Sequence, residues 1–390
     1  MKRNIRDRDG QQWINDYMLK ATGRAVHYEL DTRLMPPQAK SMRMVSKYVL
    51  KEAEHAEYLA RKAEEHGDLI NAKPLYLLAM NKYREAQHYF IPIMSDKRWA
   101  IYEKTKECSK RLYALMDYPI EVIEIPFGDT TLPAVLHLQP GGVKAPAVVF
   151  IPGMDMTKES YPNPLDSEYH QRGMHVITID GPGQGESWRR GLYVTPYNHI
   201  EAAKAAFDFM AARDDVDETR IGVSGRSFGS LWSMLAAANE PRFAAVASAV
   251  ANYQWDYLKI FDEAPIRFKQ VFMAMAGMDD ENAFDKMAEG FTLKGQAQNI
   301  KCPALMCVGE FDPLNPIEDA EKAFEALTCP KELWVIEDEY HSTHTTKALC
   351  GRPTFHYLAE WMDRALNGKI PKDHNRRTFI TKEGRGLYED

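Results

Sequence analysis

The N-terminal part of the chain has the hydrophobic pattern of amphipathic helices. Between residues 37 and 66, apolar side chains recur at spacings of three and four residues, with charged side chains between them. This is the period of a helix with one buried face. Residues 72–90 and about 96–116 continue the pattern. The sequence therefore predicts a helical module over residues 1–117.

From residue 118 the pattern changes to that of strands. An alternating hairpin comes first, followed by short, continuously apolar runs that are typical of strands covered on both faces. These runs lie at residues 145–151, 175–179, 221–223, 244–249, 304–308 and 333–336, and helical stretches lie at 200–212, 231–238, 318–327 and 354–366. Such alternation predicts an α/β domain over residues 118–368, with a mostly parallel sheet and helices on both of its faces.

Two segments do not fit this alternation. Residues from about 251 to 300 are helical in pattern and rich in aromatic and methionine side chains. We expect them to form an insertion over the sheet edge, in which most aromatic side chains serve ordinary core packing. Residues 369–390 are polar and predict an irregular C-terminal tail. The sequence leaves open whether this tail is disordered or contacts a neighbouring subunit.

Composition limits the class of protein. The chain has 390 residues, 45% hydrophobic and 27% charged, which is the profile of a folded globular protein. Its five cysteines are widely spaced without a CxxC pair, so neither a disulfide framework nor a zinc cluster is indicated. A charged N-terminus and the lack of any apolar run near ~20 residues argue against a signal peptide and a membrane span. We therefore expect a cytoplasmic protein without membrane contact.

The charge distribution is uneven. The formal net charge of −7 argues against a nucleic acid partner, because phosphate binding requires concentrated Lys and Arg. Residues 1–115 carry a net +7 and the remainder −14. These opposite charges are compatible with attraction between the two segments or with a homodimer, and equally with two solvated surfaces of different composition.

The strongest chemical signal is the motif Gly225-Arg226-Ser227-Phe228-Gly229, between an apolar strand and an apolar helix. Small residues on either side of a serine allow a sharp strand-to-helix turn that exposes the hydroxyl. The motif therefore predicts a nucleophile elbow with Ser227 as the nucleophile. The alternative is a glycine-rich helix start in which the serine is only a cap.

A serine hydroxyl is a weak nucleophile without a base and an acid that orients the base. Asp312 follows the strand at 304–308, and we prefer it to the nearby Glu310 as the acid. His341 is the first histidine after the last predicted strand, and we prefer it to His344 as the base. The chain order Ser227, Asp312, His341 is that of α/β-hydrolases.

The developing oxyanion requires preorganised N–H donors. Phe228, directly after the nucleophile, is one candidate, and Met154, in the loop after strand 145–151, is the other. The glycine-rich segment at 180–187 lacks the lysine and the spacing of a phosphate-binding loop. We interpret it as a structural turn.

These motifs resemble those of the α/β-hydrolase superfamily over about residues 118–366. More narrowly, the helical module followed by a hydrolase domain is similar to the group that contains 2,6-dihydroxypseudooxynicotine hydrolase, fungal polyketide-shortening hydrolases and fermentation-respiration switch esterase-like proteins. The phrases that carry this resemblance are Asp180-Gly181-Pro182-Gly183-Gln184-Gly185-Glu186, the elbow with its Arg226, and Glu240-Pro241-Arg242-Phe243-Ala244-Ala245.

The resemblance implies cleavage of a carbon–carbon bond next to a ketone, with an additional acid from the inserted region. Glu263 is the candidate for that acid, and Asp256 or Asp262 are alternatives. The expected substrate is a small aromatic or polyketide-like molecule, and no metal or organic cofactor is implied. The N-terminal helices and the insertion are expected to roof the site. Rival hypotheses are an esterase, lactonase, thioesterase or acyltransferase with the same triad, and a non-catalytic binding protein on a hydrolase scaffold.

Overall fold

The N-terminal module is mainly helical, as the pattern predicts. The computed structural model describes residues 12–26, 32–90, 93–255, 259–262, 264, 266–312, 314–341, 343, 346 and 348–389. The module contains α1 (Gln12–Thr22), β1 (Arg24–Val26), β2 (Thr32–Leu34), α2 (Met42–Glu65), α3 (Leu69–His88) and α4 (Asp96–Ala114). The short antiparallel β1–β2 pair is not apparent from the hydrophobic pattern. Strands of three residues are too short to show a period.

Helices α2, α3 and α4 form a small core of their own. Along α2 the buried apolar side chains recur every three or four residues, at Val45, Val49, Ala53, Ala56 and Ala60. Such spacing places them on one face, and this face packs against α3. Capping side chains start the next two helices, since Asp68 accepts a hydrogen bond from Asn71 N and Ser95 one from Arg98 N.

From residue 118 onward, the described residues are built on one nine-stranded sheet. Its strands are β3 (Ile120–Phe127), β4 (Thr130–His137), β5 (Ala145–Ile151), β6 (His175–Ile179), β7 (Val216–Ser227), β8 (Ala245–Ala251), β9 (Ala304–Gly309), β10 (Lys331–Ile336) and β11 (Asn375–Ile380). Their order across the sheet is β11-β10-β9-β8-β7-β5-β6-β4-β3. The β3–β4 and β4–β6 pairs are antiparallel and the others are parallel. The predicted mostly parallel sheet is confirmed.

Helices cover both faces of this sheet. They are α5 (Gly185–Arg189), α6 (Asn198–Ala211), α7 (Phe228–Asn239), α8 (Lys259–Asp262), α9 (Arg267–Met275), α10 (Glu281–Ala288), α11 (Ile317–Ala326) and α12 (Thr354–Leu366). Alternate residues of β5 serve opposite cores, with Val149 on the face of α6, α7 and α11, and Val148 on the face of α12. Within the described ranges, no helix is both long and apolar enough to cross a membrane.

The insertion between β8 and β9 carries α8, α9 and α10. Phe261 and Phe272 from these helices pack on Phe228, with ring centroids 6.1 and 4.8 Å from its ring. Trp188 Nε1 in α5 donates a hydrogen bond to the carbonyl of Ala274 in α9. The aromatic side chains of the insertion thus belong to the main core, as expected, and this core reaches the residue next to Ser227.

Part of the segment expected to be an irregular tail is a strand. Strand β11 pairs in parallel with β10, with Lys331 opposite Asn375 and Ile336 opposite Ile380. It is the last strand at one edge, where only one neighbour is required. Because Thr378 and Ile380 are buried while Phe379 is exposed, the strand lacks a clean hydrophobic period. The neighbouring strand, and not the local pattern, therefore determines its structure.

Candidate active site

Ser227 lies at a strained turn between strand β7 and helix α7. Strand β7 ends at Ser227 and α7 begins at Phe228. The φ angle of Ser227 is 55° and its ψ is −126°, a conformation that side chains with a Cβ seldom adopt. Ser227 and Arg226 are partly exposed, whereas Gly225 and Phe228 are buried. Strain of this kind occurs where surrounding structure holds a functional group in place.

The two glycines of the elbow are required by close backbone approaches. A Cβ on Gly225 would lie 2.0 Å from the carbonyl oxygen of Gly229. A Cβ on Gly229 would lie 2.2 Å from the carbonyl oxygen of Ile151 at the end of β5. Neither position can hold a larger residue without moving backbone atoms. This explains physically why small residues flank the serine at this spacing.

The structure brings Ser227, His341 and Asp312 into one hydrogen-bonded chain. His341 Nε2 lies 2.9 Å from Ser227 Oγ, and His341 Nδ1 lies 2.8 Å from Asp312 Oδ2. Because a carboxylate only accepts hydrogen bonds, Nδ1 is the protonated nitrogen and Nε2 accepts from the serine hydroxyl. The His341 side chain is 13% exposed and that of Asp312 is fully buried. These contacts are the ones that a histidine acting as general base, oriented by a buried acid, requires.

The acid and base loops are fixed against each other. The other oxygen of Asp312 accepts hydrogen bonds from the backbone N–H groups of Leu314 and Asn315, at 2.9 and 3.3 Å. Glu310, the competing acid, instead accepts a hydrogen bond from Asp338 N at 2.9 Å. It thereby supports the loop that carries the histidine. His344, the competing base, lies outside the described residues.

The loop after β5 lies against Ser227. A Cβ on Gly153 would lie 3.1 Å from Ser227 Cβ, so this glycine permits the contact. Gln184 Nε2 donates hydrogen bonds to the carbonyl oxygens of Gly153 and Met154, at 2.6 and 3.3 Å. The Gln184 amide thus fixes the carbonyl side of the loop that contains Met154. Phe228, the other predicted donor, is the first residue of α7, where backbone N–H groups have no acceptor within the helix.

The predicted acids of the insertion are only partly covered by the structure. Glu263 and Asp256 lie outside the described residues. Asp262 is the last residue of α8 and is exposed. The role of an auxiliary acid therefore stays a prediction.

A buried ionic cluster near the site was not predicted from the sequence. Lys158 Nζ lies 2.8 Å from Glu159, 3.1 Å from Asp180 and 2.7 Å from Glu186. The hydroxyl of Tyr102, from α4, donates to Asp180 at 3.0 Å. Asp180 opens the glycine-rich segment that we interpreted as a structural turn. A lysine is seldom buried without an acidic partner. The one signal in the sequence for this cluster is therefore a lysine in a segment that packs into the core.

The electrostatics of this cluster follow from burial. Burial and the nearby Glu159 raise the pKa of Asp180, against the opposing effect of Lys158. Burial acts in the same direction on Glu186, but Lys158 and Lys106 outweigh it and lower its pKa to about 2. Since Tyr102 and Lys106 lie in α4, the cluster joins the N-terminal module to the hydrolase domain.

Comparison with known proteins assigns the chain to a family. The model of the prolyl oligopeptidase family matches residues 165–369, more than half of the chain. The chain belongs to this family of α/β-hydrolases. This member therefore has the hydrolase fold that its motifs predict, and the matched region includes the elbow and the segments of Asp312 and His341.

Named relatives fall in the group that the sequence resembles. The chain is 32% identical over 223 residues to a hydrolase, ORFZ, of Pyricularia oryzae, covering 53% of this chain and 52% of that protein. It is 26% identical over 265 residues to the 2,6-dihydropseudooxynicotine hydrolase of Paenarthrobacter nicotinovorans, covering 67% and 70%. The chain spans about half the length of the first fungal relatives that it matches.

A solved structure of 2,6-dihydroxy-pseudo-oxynicotine hydrolase has the same fold. Its TM-score is 0.74 at 24% identity, over 85% of this chain and 91% of that one. Because the match extends over most of both chains, it includes the hydrolase domain and part of the N-terminal module. The resemblance stated from the motifs is confirmed.

Proposed function

We propose that this protein is a serine hydrolase that cleaves a carbon–carbon bond next to a ketone in a small, aromatic or polyketide-like molecule. Ser227 is the nucleophile, His341 the general base and Asp312 the acid that orients it. The observation that carries this proposal is the hydrogen-bonded chain from Ser227 Oγ through His341 to Asp312, at a strained elbow. A nucleophile, its base and an orienting acid in contact are the requirements for covalent catalysis.

The first half of the reaction forms an acyl-enzyme. His341 Nε2 takes the hydroxyl proton while Ser227 Oγ attacks the ketone carbon. The N–H groups of Phe228 and Met154 stabilise the oxyanion. Collapse of this intermediate breaks the carbon–carbon bond, and the leaving carbanion takes at carbon the proton that His341 Nε2 holds, which returns the imidazole to its neutral form. Water then attacks the acyl-enzyme with His341 as base, releasing a carboxylic acid and restoring the serine.

The leaving carbon limits the substrate class. A carbon–carbon bond breaks readily only when the carbanion is stabilised, so the substrate is a 1,3-dicarbonyl or an acyl group on a polyhydroxylated ring. The similarity to a protein named 2,6-dihydropseudooxynicotine hydrolase supports the same class. Glu263 remains the first candidate for an auxiliary acid, with Asp256 and Asp262 as alternatives.

The same triad serves other acyl chemistry. Hydrolysis of an ester, lactone or thioester, or acyl transfer to an alcohol, requires the same nucleophile and oxyanion donors. These reactions differ from carbon–carbon cleavage in the leaving group, which departs through oxygen or sulfur and is not protonated at carbon. A binding protein without catalysis is the rival from another class. Covalent labelling of Ser227 by a fluorophosphonate excludes that rival.

Product analysis separates these alternatives. Wild-type protein and the Ser227→Ala variant are incubated with an aryl 1,3-diketone, a short-chain aryl ester and an aryl amide, and the products are identified by mass spectrometry. We expect the wild type alone to convert the diketone to an acid and a ketone. Turnover of only the ester or the amide would contradict carbon–carbon cleavage and favour ordinary acyl hydrolysis.

Two matched pairs of variants test the assigned roles. His341→Ala should abolish turnover, whereas His344→Ala should retain it, because one histidine contacts Ser227. Glu263→Gln should slow diketone cleavage and spare ester hydrolysis, whereas Asp262→Asn should alter neither. Equal rates for Glu263→Gln and wild type on the diketone would remove that acid from the mechanism.

A further inference from the structure

A second charged cluster lies at the loop after β5, and the triad mechanism does not use it. Asp155 Oδ2 lies 3.0 Å from His88 Nδ1 and 3.8 Å from Arg98 Nη2. Arg267, in α9, contributes a further positive charge that acts on Asp155 and on Arg98. Arg98 is 1% exposed and the Asp155 side chain 6%. The N-terminal module, the insertion and the loop therefore meet at one buried group of charges.

The two arginines have more donors than the cluster can satisfy. Arg98 Nε donates to the carbonyl oxygen of Gln87 at 3.3 Å. Arg98 Nη1 and both Nε and Nη2 of Arg267 are buried and have no hydrogen-bond partner in the described part of the chain. Among the described residues, Asp155 is the carboxylate whose charge acts on both guanidinium groups. Among the described residues, three buried guanidinium nitrogens therefore lack a hydrogen-bond acceptor, and one positive charge lacks a counter-charge.

Both arginines remain cationic at neutral pH. Burial and the nearby Arg267 together lower the pKa of Arg98 to about 10, against the opposing effect of Asp155. Burial also lowers the pKa of Arg267. The pKa of Asp155 is held below its usual range, because His88 and the two arginines outweigh the effect of its burial. The cluster therefore has an excess of positive charge.

An anion would remove this imbalance. A buried donor without a partner costs about 1–3 kcal/mol, and more when it is charged. A carboxylate presents two oxygens that match the fork of a guanidinium. One carboxylate between Arg98 and Arg267 would satisfy the unmatched donors and neutralise the excess charge.

The cluster is close to the nucleophile. Asp155 follows Met154, and Gly153 contacts Ser227 Cβ. Because consecutive Cα atoms are about 3.8 Å apart, the Cα atom of Asp155 lies within about 8 Å of that of Gly153. The loop that carries Asp155 therefore links the cluster to the triad within three residues, which is short enough for one small molecule to span.

We propose that Arg98 and Arg267 bind a carboxylate of the substrate, so that the protein selects acyl compounds bearing an acidic group over their neutral analogues. The reaction that follows binding rests on the proposed function, but the binding itself does not. A solely structural role for the arginines would require each to stabilise the fold. The proposal instead requires Arg267 to destabilise the unliganded protein, since its buried charge has no partner of its own.

Binding is measured on the Ser227→Ala variant, which cannot turn over ligand. The probes are three aryl keto acids that differ in the number of methylene groups between ketone and carboxylate, each paired with its primary amide. Isothermal titration calorimetry gives the dissociation constants. We expect at least one acid to bind about 10- to 100-fold more tightly than its amide, as charge-assisted hydrogen bonds provide. Arg267→Met in the same background should abolish the preference.

Arg190→Met is the matched control, because Arg190 lies at the surface and pairs with Glu124. It should leave the preference unchanged. Thermal unfolding gives the second readout. Arg267→Met should unfold at the same temperature as the parent or above it. Arg98→Met should also reduce the preference for acids. If that variant does not fold, Arg98→Lys replaces it, with the same expected reduction.

The proposal is overturned if none of the three acids binds more tightly than its amide, or if the preference survives Arg267→Met. A lowered unfolding temperature of Arg267→Met with an intact preference would assign the cluster a structural role. If the acids are preferred but the wild type cleaves no carbon–carbon bond, the proposed function fails and the anion site stands. If the wild type cleaves a carbon–carbon bond but shows no preference for acids, the anion site fails and the proposed function stands.

Discussion

Lys158 is the residue whose loss should most clearly reveal how the N-terminal module is attached. Its Nζ atom is within 3.1 Å of carboxylate oxygens of Glu159, Asp180 and Glu186, and its side chain is 1% exposed. Lys158→Met keeps the length of the side chain and removes its charge. Glu159 and Asp180 would then stay buried without a cation. Breaking a buried ion pair on one side costs about 3–5 kcal/mol.

This free energy corresponds to a measurable shift in unfolding temperature. The entropy of unfolding is about 2.1 cal/mol/K per residue near 60 °C, or roughly 0.8 kcal/mol/K for a chain of 390 residues. A loss of 3–5 kcal/mol therefore lowers the midpoint by about 4–6 °C. Differential scanning calorimetry at pH 7 measures it. Lys106→Met is the matched control, since Lys106 is 26% exposed and should contribute under about 1 kcal/mol.

The pH dependence identifies the cause. Without Lys158, burial raises the folded-state pKa values of the buried carboxyl groups above their unfolded values of about 4. The folded variant then binds more protons than the unfolded chain, so its stability falls as pH rises through this range. The difference between wild type and variant should be small near pH 4 and largest above pH 7. A loss under about 1 kcal/mol, or a difference independent of pH, would refute the reasoning.

Three further predictions follow from the site and its surroundings. Asp312→Asn should lower kcat by about 10⁴ without a comparable loss of stability, and kcat within tenfold of wild type would contradict its role. Glu168 is buried and its pKa is raised to about 8, so the folded state loses stability as pH rises from about 4 to 8. Glu168→Gln should therefore raise the unfolding temperature at pH 9 and not at pH 4; equal gains at both would exclude this charge effect. Gly229→Ala, whose Cβ would lie 2.2 Å from a backbone oxygen, should cost about 3 kcal/mol or more, whereas Gly222→Ala meets the flexible Met362 Sδ and should cost less, as thermal unfolding would measure.

The sequence predicts the strands and helices of the hydrolase domain because their hydrophobic periods are local. Strand β5 is continuously apolar and covered on both faces, and the pattern of α12 gives one buried side. The elbow is local in part: Gly225 faces the carbonyl oxygen of Gly229 within five residues, whereas Gly229 is also required by the end of β5. Strand β11 was not predicted, because an edge strand with one neighbour carries no period of its own.

The order of motifs along the chain predicts which residues form the candidate triad. The distances between them follow only from the fold. Strands β7, β9 and β10 lie in one parallel sheet, so the loops at their carboxyl ends meet at one edge. Ser227 and His341 are 114 positions apart in the chain and 2.9 Å apart in space. Only the fold likewise shows that the Glu310 carboxylate accepts a hydrogen bond from Asp338 N.

The sequence by itself determined the order of elements, the elbow and the types of residue available for acyl chemistry. Tertiary structure alone decided which buried charges meet. Lys158, Arg98 and Arg267 have no sequence pattern that reveals their partners, because ionic contacts carry no period and join segments far apart in the chain. The free energy of such contacts depends on burial, and burial exists only after the N-terminal helices, the insertion and the sheet have packed together.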